Sequence, residues 1–463
     1  MTVKPLRCVV SVSGVRGVVG ESLDVDQIMA LASAYGVAIA DRGPVVVGRD
    51  SRPTGELFTQ AVATGLRGVG CEVIDIGLVP TPTVPITIGE LGAAGGIQVS
   101  ASHNPVQWNA LKFFAGTGRN IDQVQLDGLL AEYERAPRWV GWQKVGRARS
   151  HGDALRVHIA RVLAAVDAER IRRRAFHVVI DSVNGAGSVI APDLLAQLGC
   201  RVTTLYTRPD LPFPRDPEPN AANVTETGAV VRAVGADLGF VQDPDADRLA
   251  IIAPDGTFIG EEYTLVLAAA AKFAAGSAGG QGPVACTNLS TSRMLEDVAK
   301  RSGGRVVRAK VGEAHVVDAM QANNAAIGGE GNGGVIDPRV VMGRDSQIGM
   351  ALVLDFLSRR GFGLGDALAE IPRYAMHKEK IALDRAQVAA AIEPVRAHAL
   401  ARGAEIDVRD GIKLMWPDRW VHLRASGTEP VSRIIAEAPD ADAARDLAVS
   451  VRQAVGARVA GAH

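Results

Sequence analysis

One local pattern occurs three times in this 463-residue sequence: an apolar strand, a polar loop, a helix and a glycine before a second strand. The first copy begins at Val45–Val47, the second at His177–Ile180 and the third at Val284–Cys286. Units of this kind build parallel sheets that are covered by helices. The repetition therefore predicts three related α/β domains, with ligand-binding loops at the carboxyl ends of their strands.

The C-terminal part of the chain follows a different pattern. Asp410–Leu414, Trp420–Leu423 and Ile434–Ala438 are short apolar segments separated by polar turns, and a helical pattern begins near Ala441. We therefore expect a small α+β domain with antiparallel strands after the three α/β domains. The predicted domains are residues 1–150, 151–254, 255–371 and 372–463.

Composition and charge exclude several classes of function. The formal net charge is -1, so the chain has no basic field that would attract nucleic acid or an anionic membrane. No apolar run approaches the roughly 18 residues that a membrane helix needs. The isolated cysteines are typical of reduced thiols in a cytoplasmic protein, because their spacing suits neither a zinc site nor a disulfide framework. These cysteines are Cys8, Cys71, Cys200 and Cys286.

A serine-rich loop is the first candidate for chemistry. The segment Ser100–Pro105 follows the apolar strand Gly96–Val99, contains the pair Ser102-His103, and is followed by Lys112. A Ser-His pair on a polar loop with a lysine nearby is suited to act as a nucleophile beside a proton donor. The alternative is an ordinary turn, since Ser, Asn and Pro are common turn residues.

An acidic loop is the second candidate. Asp243, Asp245 and Asp247 alternate along a short segment between two apolar strands. Three such carboxylates repel one another unless a cation lies between them, and a divalent ion with oxygen ligands is the natural occupant. An EF-hand is excluded, because its sixth and twelfth positions hold Arg248 and Pro254 instead of glycine and glutamate. A solvated acidic turn remains the alternative, although the apolar flanks argue against it.

Two segments are suited to bind phosphate. Arg16 lies between glycines in Ser13–Gly17, where its guanidinium could fork onto a phosphate, and the alternative is a hairpin turn with a solvated arginine. Arg424–Pro430 combines an arginine, two hydroxyls and a glycine in one loop. Guanidinium, hydroxyl and backbone donors of this kind hold phosphate dianions.

A glycine-rich segment is the candidate sugar site. Gly328–Gly334 places one carboxylate, Glu330, and one amide, Asn332, among five glycines. Exposed backbone around outward-pointing polar side chains suits recognition of sugar hydroxyls. The alternative for this stretch is a flexible surface loop.

The order of four of these segments, the serine, acidic, glycine-rich and C-terminal phosphate loops, resembles that of the α-D-phosphohexomutase superfamily over essentially the whole chain. Ser100–Pro105 is similar to its active-serine signature, Asp243–Arg248 to its magnesium loop, Gly329–Gly333 to its sugar loop and Arg424–Thr428 to its phosphate loop. The resemblance implies three mixed-sheet α/β domains and a C-terminal α+β domain around a central active-site cleft. It also implies an intramolecular phosphotransferase that interconverts hexose 1-phosphate and hexose 6-phosphate.

The resemblance further implies a mechanism and its cofactors. A phosphorylated Ser102 would hand its phosphoryl group to a hexose phosphate, with Mg²⁺ bound between the phosphoserine and the three aspartates. Hexose 1,6-bisphosphate would be both intermediate and activator, and the partners would be sugar phosphates bound by a monomer or homodimer. In this mechanism Ser102 would carry the phosphoryl group and contact the metal, Asp243, Asp245 and Asp247 would be metal ligands, Lys112 would act as acid or base, His103 would orient the serine or share proton transfer, and Arg248 would position the phosphoserine. Glu330 and Asn332 would bind sugar hydroxyls, Arg16 and Lys310 would be secondary phosphate contacts, and Arg424, Ser426, Gly427 and Thr428 would bind the phosphate that is not transferred.

Departures from the family pattern leave the sugar open. Pro244 and Ala110 stand where glycine is common, and the Gly329–Gly334 loop lacks the Ser-Gly-His ending of many relatives. We expect a phosphoglucosamine mutase, with a phosphomannomutase or phosphoglucomutase as the alternative. Two more distant hypotheses are a phosphatase that uses the acidic loop, in which Asp247 occupies the usual Thr/Val position, and a non-catalytic sugar-phosphate-binding protein.

Overall fold

The computed structural model describes residues 4–136, 139–274, 276, 282–400, 403–425 and 431–456. Within these ranges it contains four β-sheets, one in each predicted domain. The predicted fold class is confirmed, since three α/β units are followed by an antiparallel unit. Among the described residues, none of the helices has both the length and the apolar character required to cross a membrane.

The first sheet has seven strands, and four of them run parallel. Helices cover both of its faces, and the first helix begins at a capping box in which Asp24 and Gln27 bond each other's backbone amides. A 3-10 turn, Trp142–Lys144, precedes the last strand. The elements are β1 (Val9–Ser11), β2 (Gly14–Val18), α1 (Val25–Ala38), β3 (Val45–Arg49), α2 (Gly55–Gly68), β4 (Val73–Leu78), α3 (Thr83–Leu91), β5 (Gly95–Val99), β6 (Trp108–Ala115), α4 (Gln123–Glu134) and β7 (Ala148–Ser150).

The second and third sheets have four strands each. In the second domain the elements are α5 (Ala154–Ala164), α6 (Ala168–Arg174), β8 (His177–Asp181), a 3-10 turn (Ala186–Val189), α7 (Ala191–Gln197), β9 (Arg201–Leu205), α8 (Thr225–Ala233), β10 (Leu238–Gln242) and β11 (Leu249–Ile252). In the third they are α9 (Glu262–Ala274), β12 (Val284–Asn288), α10 (Met294–Arg301), β13 (Arg305–Ala309), α11 (Glu313–Ala322), β14 (Ile327–Glu330), β15 (Gly334–Ile336), α12 (Ser346–Arg360) and α13 (Leu364–Ala369).

The three α/β domains share one topology. The strand orders β4-β3-β5-β6, β9-β8-β10-β11 and β13-β12-β14-β15 are the same arrangement, with β1, β2 and β7 added to the first sheet. In each domain the first strand pairs in parallel with the second and the third, and the fourth runs antiparallel to the third. The strand–loop–helix repeat of the sequence therefore reports a real structural repeat.

The last sheet is antiparallel throughout, with strand order β16-β20-β19-β18-β17, as its sequence pattern predicts. Two helices cover it and enclose a separate hydrophobic core. The elements are β16 (Ala375–Ile381), α14 (Arg385–Leu400), β17 (Glu405–Asp407), β18 (Ile412–Met415), β19 (Trp420–Ala425), β20 (Ser432–Ala438) and α15 (Ala441–Ala454).

The second and third domains share one continuous hydrophobic core. Helix α12 lies at its centre, where it is buried from Ser346 to Leu357 and packs on α9 of its own domain and on α5 and α6 of the second. Ile86 of the first domain belongs to the same cluster. Burial of apolar area contributes about 25 cal/mol per Å², so this shared core holds the second and third domains in a fixed relative position.

The fourth domain meets the third through buried polar groups. Lys413 on β18 is 1% exposed, donates from Nζ to the Leu289 carbonyl at 2.5 Å, and lies 4.0 Å from the centroid of the Trp420 ring. Nearby, Ser290 Oγ and His422 Nδ1 are hydrogen-bonded at 2.8 Å. Burial, together with the positive charge of Arg308, lowers the pKa of Lys413 to about 6.

We expect Lys413→Met to stabilise the protein at pH 7, because the wild-type lysine must lose its proton to be buried. The pKa of Lys413 in the folded state, about 6, lies below that of the unfolded chain, about 10.4. Between these values the unfolded chain binds more protons, so wild-type stability rises with pH by up to about 1.4 kcal/mol per unit. The advantage of the variant should therefore shrink from pH 7 to pH 9.5 in thermal unfolding. Equal advantages at both pH values would contradict this, and the exposed Lys300→Met is the control.

Candidate functional site

Three of the predicted functional loops occupy the same position in their domains. Residues 100–107, 243–248 and 331–333 each connect the third strand of an α/β domain to its antiparallel fourth strand. The acidic loop and the glycine-rich loop are adjacent, since the amide of Leu249, the first residue of β11, donates to the Gly333 carbonyl at 3.0 Å. Thr81, which follows β4, reaches the acidic loop from the first domain, and its amide donates to the Asp245 carbonyl at 2.9 Å.

Ser102 lies at the meeting point of the first two loops. Its Oγ donates to Asp243 Oδ2 at 3.0 Å, and the residue is 4% exposed. Its backbone is left-handed, with φ of 50°, a conformation that costs a non-glycine residue of order 1–3 kcal/mol unless its surroundings stabilise it. A strained, buried hydroxyl against a carboxylate of another domain is a feature of functional sites.

The three aspartates form a buried cluster. Oxygen atoms of Asp243, Asp245 and Asp247 all lie within 4.8 Å of one another. Asp243 Oδ1 accepts hydrogen bonds from the amides of Asp247 and Arg248, each at 3.1 Å. Burial and the two neighbouring carboxylates raise the pKa of Asp243 well above its ordinary value. The cluster is therefore unfavourable without added positive charge.

Two cationic side chains lie against the cluster. Lys112 on β6 donates to Asp245 Oδ2 at 2.5 Å and to Asp247 Oδ2 at 3.3 Å. Arg344 donates from NH2 to Asp247 Oδ2 at 2.8 Å. Burial alone would raise the pKa of Asp245, but Lys112 and a hydrogen bond from Thr81 lower it below its ordinary value. Burial likewise opposes the charge of Lys112, whose pKa is nevertheless raised by Asp245 and Asp247.

The donor set fits a hard divalent cation such as Mg²⁺. The Oδ1 atoms of Asp245 and Asp247 are buried and have no hydrogen-bond partner among the described residues. Unpaired buried carboxylate oxygens are costly, and oxygen ligands are those that Mg²⁺ prefers. These two atoms, together with Asp243, would hold the ion beside Ser102.

Two arginines, Arg16 and Arg248, place positive charge near His103 of the serine loop. His103 is half-buried with Nδ1 3.4 Å from Ser102 Oγ, and Arg248, burial and Arg16 lower the pKa of its imidazole well below the ordinary value. Arg16 lies on β2 in a β1-β2 hairpin and donates from NH1 to Asn104 Oδ1 at 3.3 Å. A neutral imidazole beside two guanidinium groups leaves the arginines as the cations available to a phosphorylated Ser102.

The glycine-rich loop presents Glu330 at the end of β14. Its Oε1 accepts from Asn288 Nδ2 at 2.9 Å and from the Gly312 amide at 3.2 Å. Asn332 Nδ2 lies 3.5 Å from the other carboxylate oxygen, and Asn332 Oδ1 accepts from the Gly334 amide at 3.2 Å. The two predicted sugar-binding side chains are therefore neighbours and are held by their own loop.

Arg344 connects the sugar loop to the acidic cluster, and the sequence analysis missed it. Besides Asp247 it contacts Glu313, with Nε 2.8 Å from Oε2, and Glu330, with NH1 3.5 Å from Oε2. One guanidinium thus bridges three carboxylates in two domains. The available signal was a repeated tetrapeptide, Gly-Arg-Asp-Ser, which occurs at 48–51 and again at 343–346.

Other predicted residues lie outside this cluster. Lys310 is exposed on the loop after β13. Arg424 is the penultimate residue of β19, where its Nε lies 3.3 Å from Asp410 Oδ2, and burial lowers its pKa. Ser426, Gly427 and Thr428 of the predicted phosphate loop lie outside the described residues.

Comparison with protein families gives four consecutive matches. The models are described as phosphoglucomutase/phosphomannomutase, alpha/beta/alpha domain I, domain II and domain III, and the C-terminal domain. They match residues 9–138, 156–256, 260–374 and 378–454.

Individual relatives align with this chain over nearly the full length of both proteins. A phosphoglucomutase/phosphomannomutase of Thermococcus kodakarensis is 37% identical, covering 94% of this chain and 95% of its own. A "probable phosphoglucosamine mutase" of Methanopyrus kandleri is 35% identical over the same shares. The crystal structure of a phosphoglucomutase/phosphomannomutase family protein from Burkholderia thailandensis has a TM-score of 0.84 at 26% identity and covers 98% of both chains.

Proposed function

We infer, since the chain belongs to the phosphoglucomutase/phosphomannomutase family, that Ser102 is the phosphoryl carrier of a phosphohexomutase. The enzyme interconverts hexose 1-phosphate and hexose 6-phosphate by intramolecular phosphoryl transfer. The observation that carries the assignment of Ser102 is its Oγ, 3.0 Å from Asp243 Oδ2 at the edge of the three-carboxylate cluster. The cytoplasmic location and the monomeric or homodimeric state expected from the sequence stay predictions.

The proposed reaction has two balanced transfers. A hydroxyl oxygen of the bound hexose phosphate attacks the phosphorus on Ser102, the bond from phosphorus to Ser102 Oγ breaks, and the hydroxyl proton passes to a protein base. The resulting sugar bisphosphate then reorients within the active site. Its other phosphoryl group moves to Ser102 Oγ, and the proton returns to the sugar oxygen, so that the carrier is regenerated.

Each side chain has a role that follows from its position. Bound Mg²⁺ would supply positive charge next to the transferring phosphoryl group, where charge spreads over the equatorial oxygens. Asp243, Asp245 and Asp247 would hold it. Lys112, which contacts the cluster from β6, would transfer a proton to or from the sugar oxygen. Arg248 and Arg16 would bind the phosphoryl group of the phosphoserine.

The glycine-rich loop would bind the sugar. Glu330 and Asn332 would accept hydrogen bonds from ring hydroxyls and donate hydrogen bonds to them. Lys310 and the loop at Arg424, Ser426, Gly427 and Thr428 would bind the phosphate that is not transferred. Contacts of this kind must serve both orientations of the bisphosphate.

We propose an amino sugar, glucosamine phosphate, as the preferred substrate. Glu313 and Glu330 lie on the sugar side with one arginine, Arg344, between them, so that a 2-ammonium group would meet net negative charge. The relative from Methanopyrus kandleri is named for this activity. Glucose and mannose phosphates are the second candidate, because the 37% identical relative is named for those sugars.

A substrate panel tests the proposal. The protein is incubated with Mg²⁺, a catalytic amount of glucose 1,6-bisphosphate, and glucosamine, glucose or mannose 1-phosphate in separate reactions. We expect 6-phosphate from all three, with the highest kcat/KM for glucosamine 1-phosphate. No 6-phosphate from any sugar would refute the mutase, and a higher kcat/KM for glucose or mannose would refute only the amino-sugar preference.

A further inference from the structure

Arg52 donates three hydrogen bonds to carbonyls of the serine loop and a fourth to the carbonyl of the first residue of β6. It follows β3 and is 1% exposed, and no hydrogen bond or ion pair within the described structure joins it to the acidic cluster or the sugar loop. From NH2 it donates to the carbonyls of Ser102 and Asn104, each at 2.6 Å. From NH1 it donates to the carbonyls of Pro105 at 2.7 Å and Trp108 at 3.1 Å.

Asp50 completes this arrangement from the same strand end. Its Oδ2 accepts from Arg52 Nε at 3.1 Å and from Ser100 Oγ at 2.6 Å. Ser100 Oγ in turn accepts from the Ser102 amide at 3.0 Å. The amide and the carbonyl of Ser102 are therefore both tied to one ion pair, and all five donors of the guanidinium are used.

The closed ring of hydrogen bonds explains how Ser102 stays in its left-handed conformation. A non-glycine residue at φ 50° is strained, and such strain persists only where the surroundings over-determine it. The carbonyl of Ser102 is fixed by a buried hydrogen bond from the charged Arg52, and bonds to a charged partner are among the strongest in proteins. The amide of Ser102 is fixed by Ser100 Oγ, which itself donates to the Asp50 carboxylate. A lysine at position 52 could not replace them, because three donors on one nitrogen cannot reach four separate carbonyls.

The ring of Phe213 covers the outer face of the Arg52 guanidinium. The guanidinium carbon lies 5.2 Å from the ring centroid, within the range of a cation–π contact. Phe213 belongs to the second domain, on the segment between β9 and α8. The serine loop of one domain is therefore supported by a side chain from the domain that carries the aspartates.

We propose that Arg52 is a positioning residue that holds Ser102 in the geometry needed for phosphoryl transfer, and that Phe213 supports Arg52 from the second domain. The inference rests on the proposed function of Ser102. Among the described residues, no hydrogen bond or ion pair joins Arg52 to the three aspartates, Glu330 or Asn332, so its effect is on the orientation of Oγ. A displacement of about 1 Å at a reacting atom lowers a rate about 100-fold.

Arg52→Lys is the main test. We expect kcat to fall about 100-fold with KM for the sugar phosphate within threefold of wild type, because sugar contacts lie on other loops. Transfer from glucose 1,6-bisphosphate to Ser102, followed by quenching and intact mass, should slow by a similar factor. Arg49→Lys is the matched control, since the half-buried Arg49 is the last residue of β3 and, within the described part of the chain, its side chain donates to the Asp50 carbonyl alone, at 3.2 Å.

The outcomes separate positioning from stability. A lower thermal midpoint with kcat within threefold of wild type would give Arg52 a structural role only and overturn the proposal. Phe213→Leu fills most of the same space without the aromatic face, and we expect a three- to tenfold loss in kcat at unchanged KM. If Arg52→Lys does not fold, Phe213→Leu becomes the deciding variant. An unchanged kcat in Phe213→Leu would then overturn the proposal. If wild-type protein itself transfers no phosphoryl group to Ser102, the proposed function fails instead.

Discussion

Replacing Ser102 by alanine is expected to lower the mutase rate by at least about 10⁴-fold, because the phosphoryl carrier is lost and no other step can replace it. The fold should be unaffected. Among the described residues, the hydroxyl is hydrogen-bonded to Asp243 and His103 alone, and alanine tolerates the backbone conformation about as well as serine. Turnover of glucosamine 1-phosphate with Mg²⁺ and glucose 1,6-bisphosphate is the measurement.

Ser51→Ala is the matched control for this variant. The Ser51 hydroxyl is buried on the neighbouring loop and has no hydrogen-bond partner within the described part of the chain. We expect wild-type turnover from Ser51→Ala. Residual turnover above 1% of wild type in Ser102→Ala would contradict the carrier role. Release of inorganic phosphate that survives Ser102→Ala would favour the phosphatase hypothesis.

Asp243→Asn should have two opposite effects. The amide has the same shape but one charge less, so Mg²⁺ affinity and kcat should each fall at least about 100-fold, since even outer-shell partners of a metal contribute 10–100-fold. In the metal-free protein the same change should raise stability. Burial and the neighbouring carboxylates raise the pKa of Asp243, so its charged form is unfavourable there.

The pH dependence of stability in the metal-free protein follows from the linkage between proton binding and folding. The pKa of Asp243 in the folded state lies above that of the unfolded chain, so the folded state binds more protons between the two values. Wild-type stability without metal therefore decreases as pH rises through that window, whereas Asp243→Asn should not show this decrease.

Calorimetric Mg²⁺ titration and thermal unfolding with and without Mg²⁺ test both effects. Asp127→Asn, which removes an exposed carboxylate of α4, is the control and should change neither. Wild-type Mg²⁺ affinity in Asp243→Asn would contradict a metal site at the aspartate cluster. A lower midpoint for the metal-free variant would contradict the repulsion that we infer among the three carboxylates.

The sequence predicted the repeat and the loops because both leave local signals. Strand–loop–helix periodicity predicted three α/β domains, and alternating carboxylates predicted the cluster at Asp243, Asp245 and Asp247. Because the three aspartates alternate along one short segment, the sequence also implied that they share a loop, and residues of one short loop lie close together. The antiparallel fourth domain was likewise visible in its short apolar segments.

The candidate loops were identified by their residue types, and the repeat alone would not have identified them. The repeat drew attention to the loops that follow the first strands, whereas Ser102, the aspartates and Glu330 lie at or after the third strands. The ends of the first strands and the loops after them supply support, with Asp50 and Arg52 bonded to the serine loop and Asn288, the last residue of β12, bonded to Glu330.

Long-range partners could not be predicted from local patterns. Arg344 is 97 residues from Asp247 in sequence, and Thr81 is 164 residues from Asp245. The repeated Gly-Arg-Asp-Ser tetrapeptide draws attention to Arg344 but names no partner for it, and an isolated threonine such as Thr81 is typical of any polar surface. Their roles depend on the packing of three domains, which sets the distances between loops.

Phosphorylation of Ser102 tests the central claim most directly. Phosphatase-treated protein is incubated with Mg²⁺ and glucose 1,6-bisphosphate, quenched, digested and analysed by peptide mass spectrometry, and a second sample is then given excess hexose 1-phosphate. We predict one phosphoryl group on Ser102 that disappears from the second sample. An unmodified Ser102 in a protein that turns over sugar phosphates, or a phosphoryl group on one of the three aspartates, would contradict it.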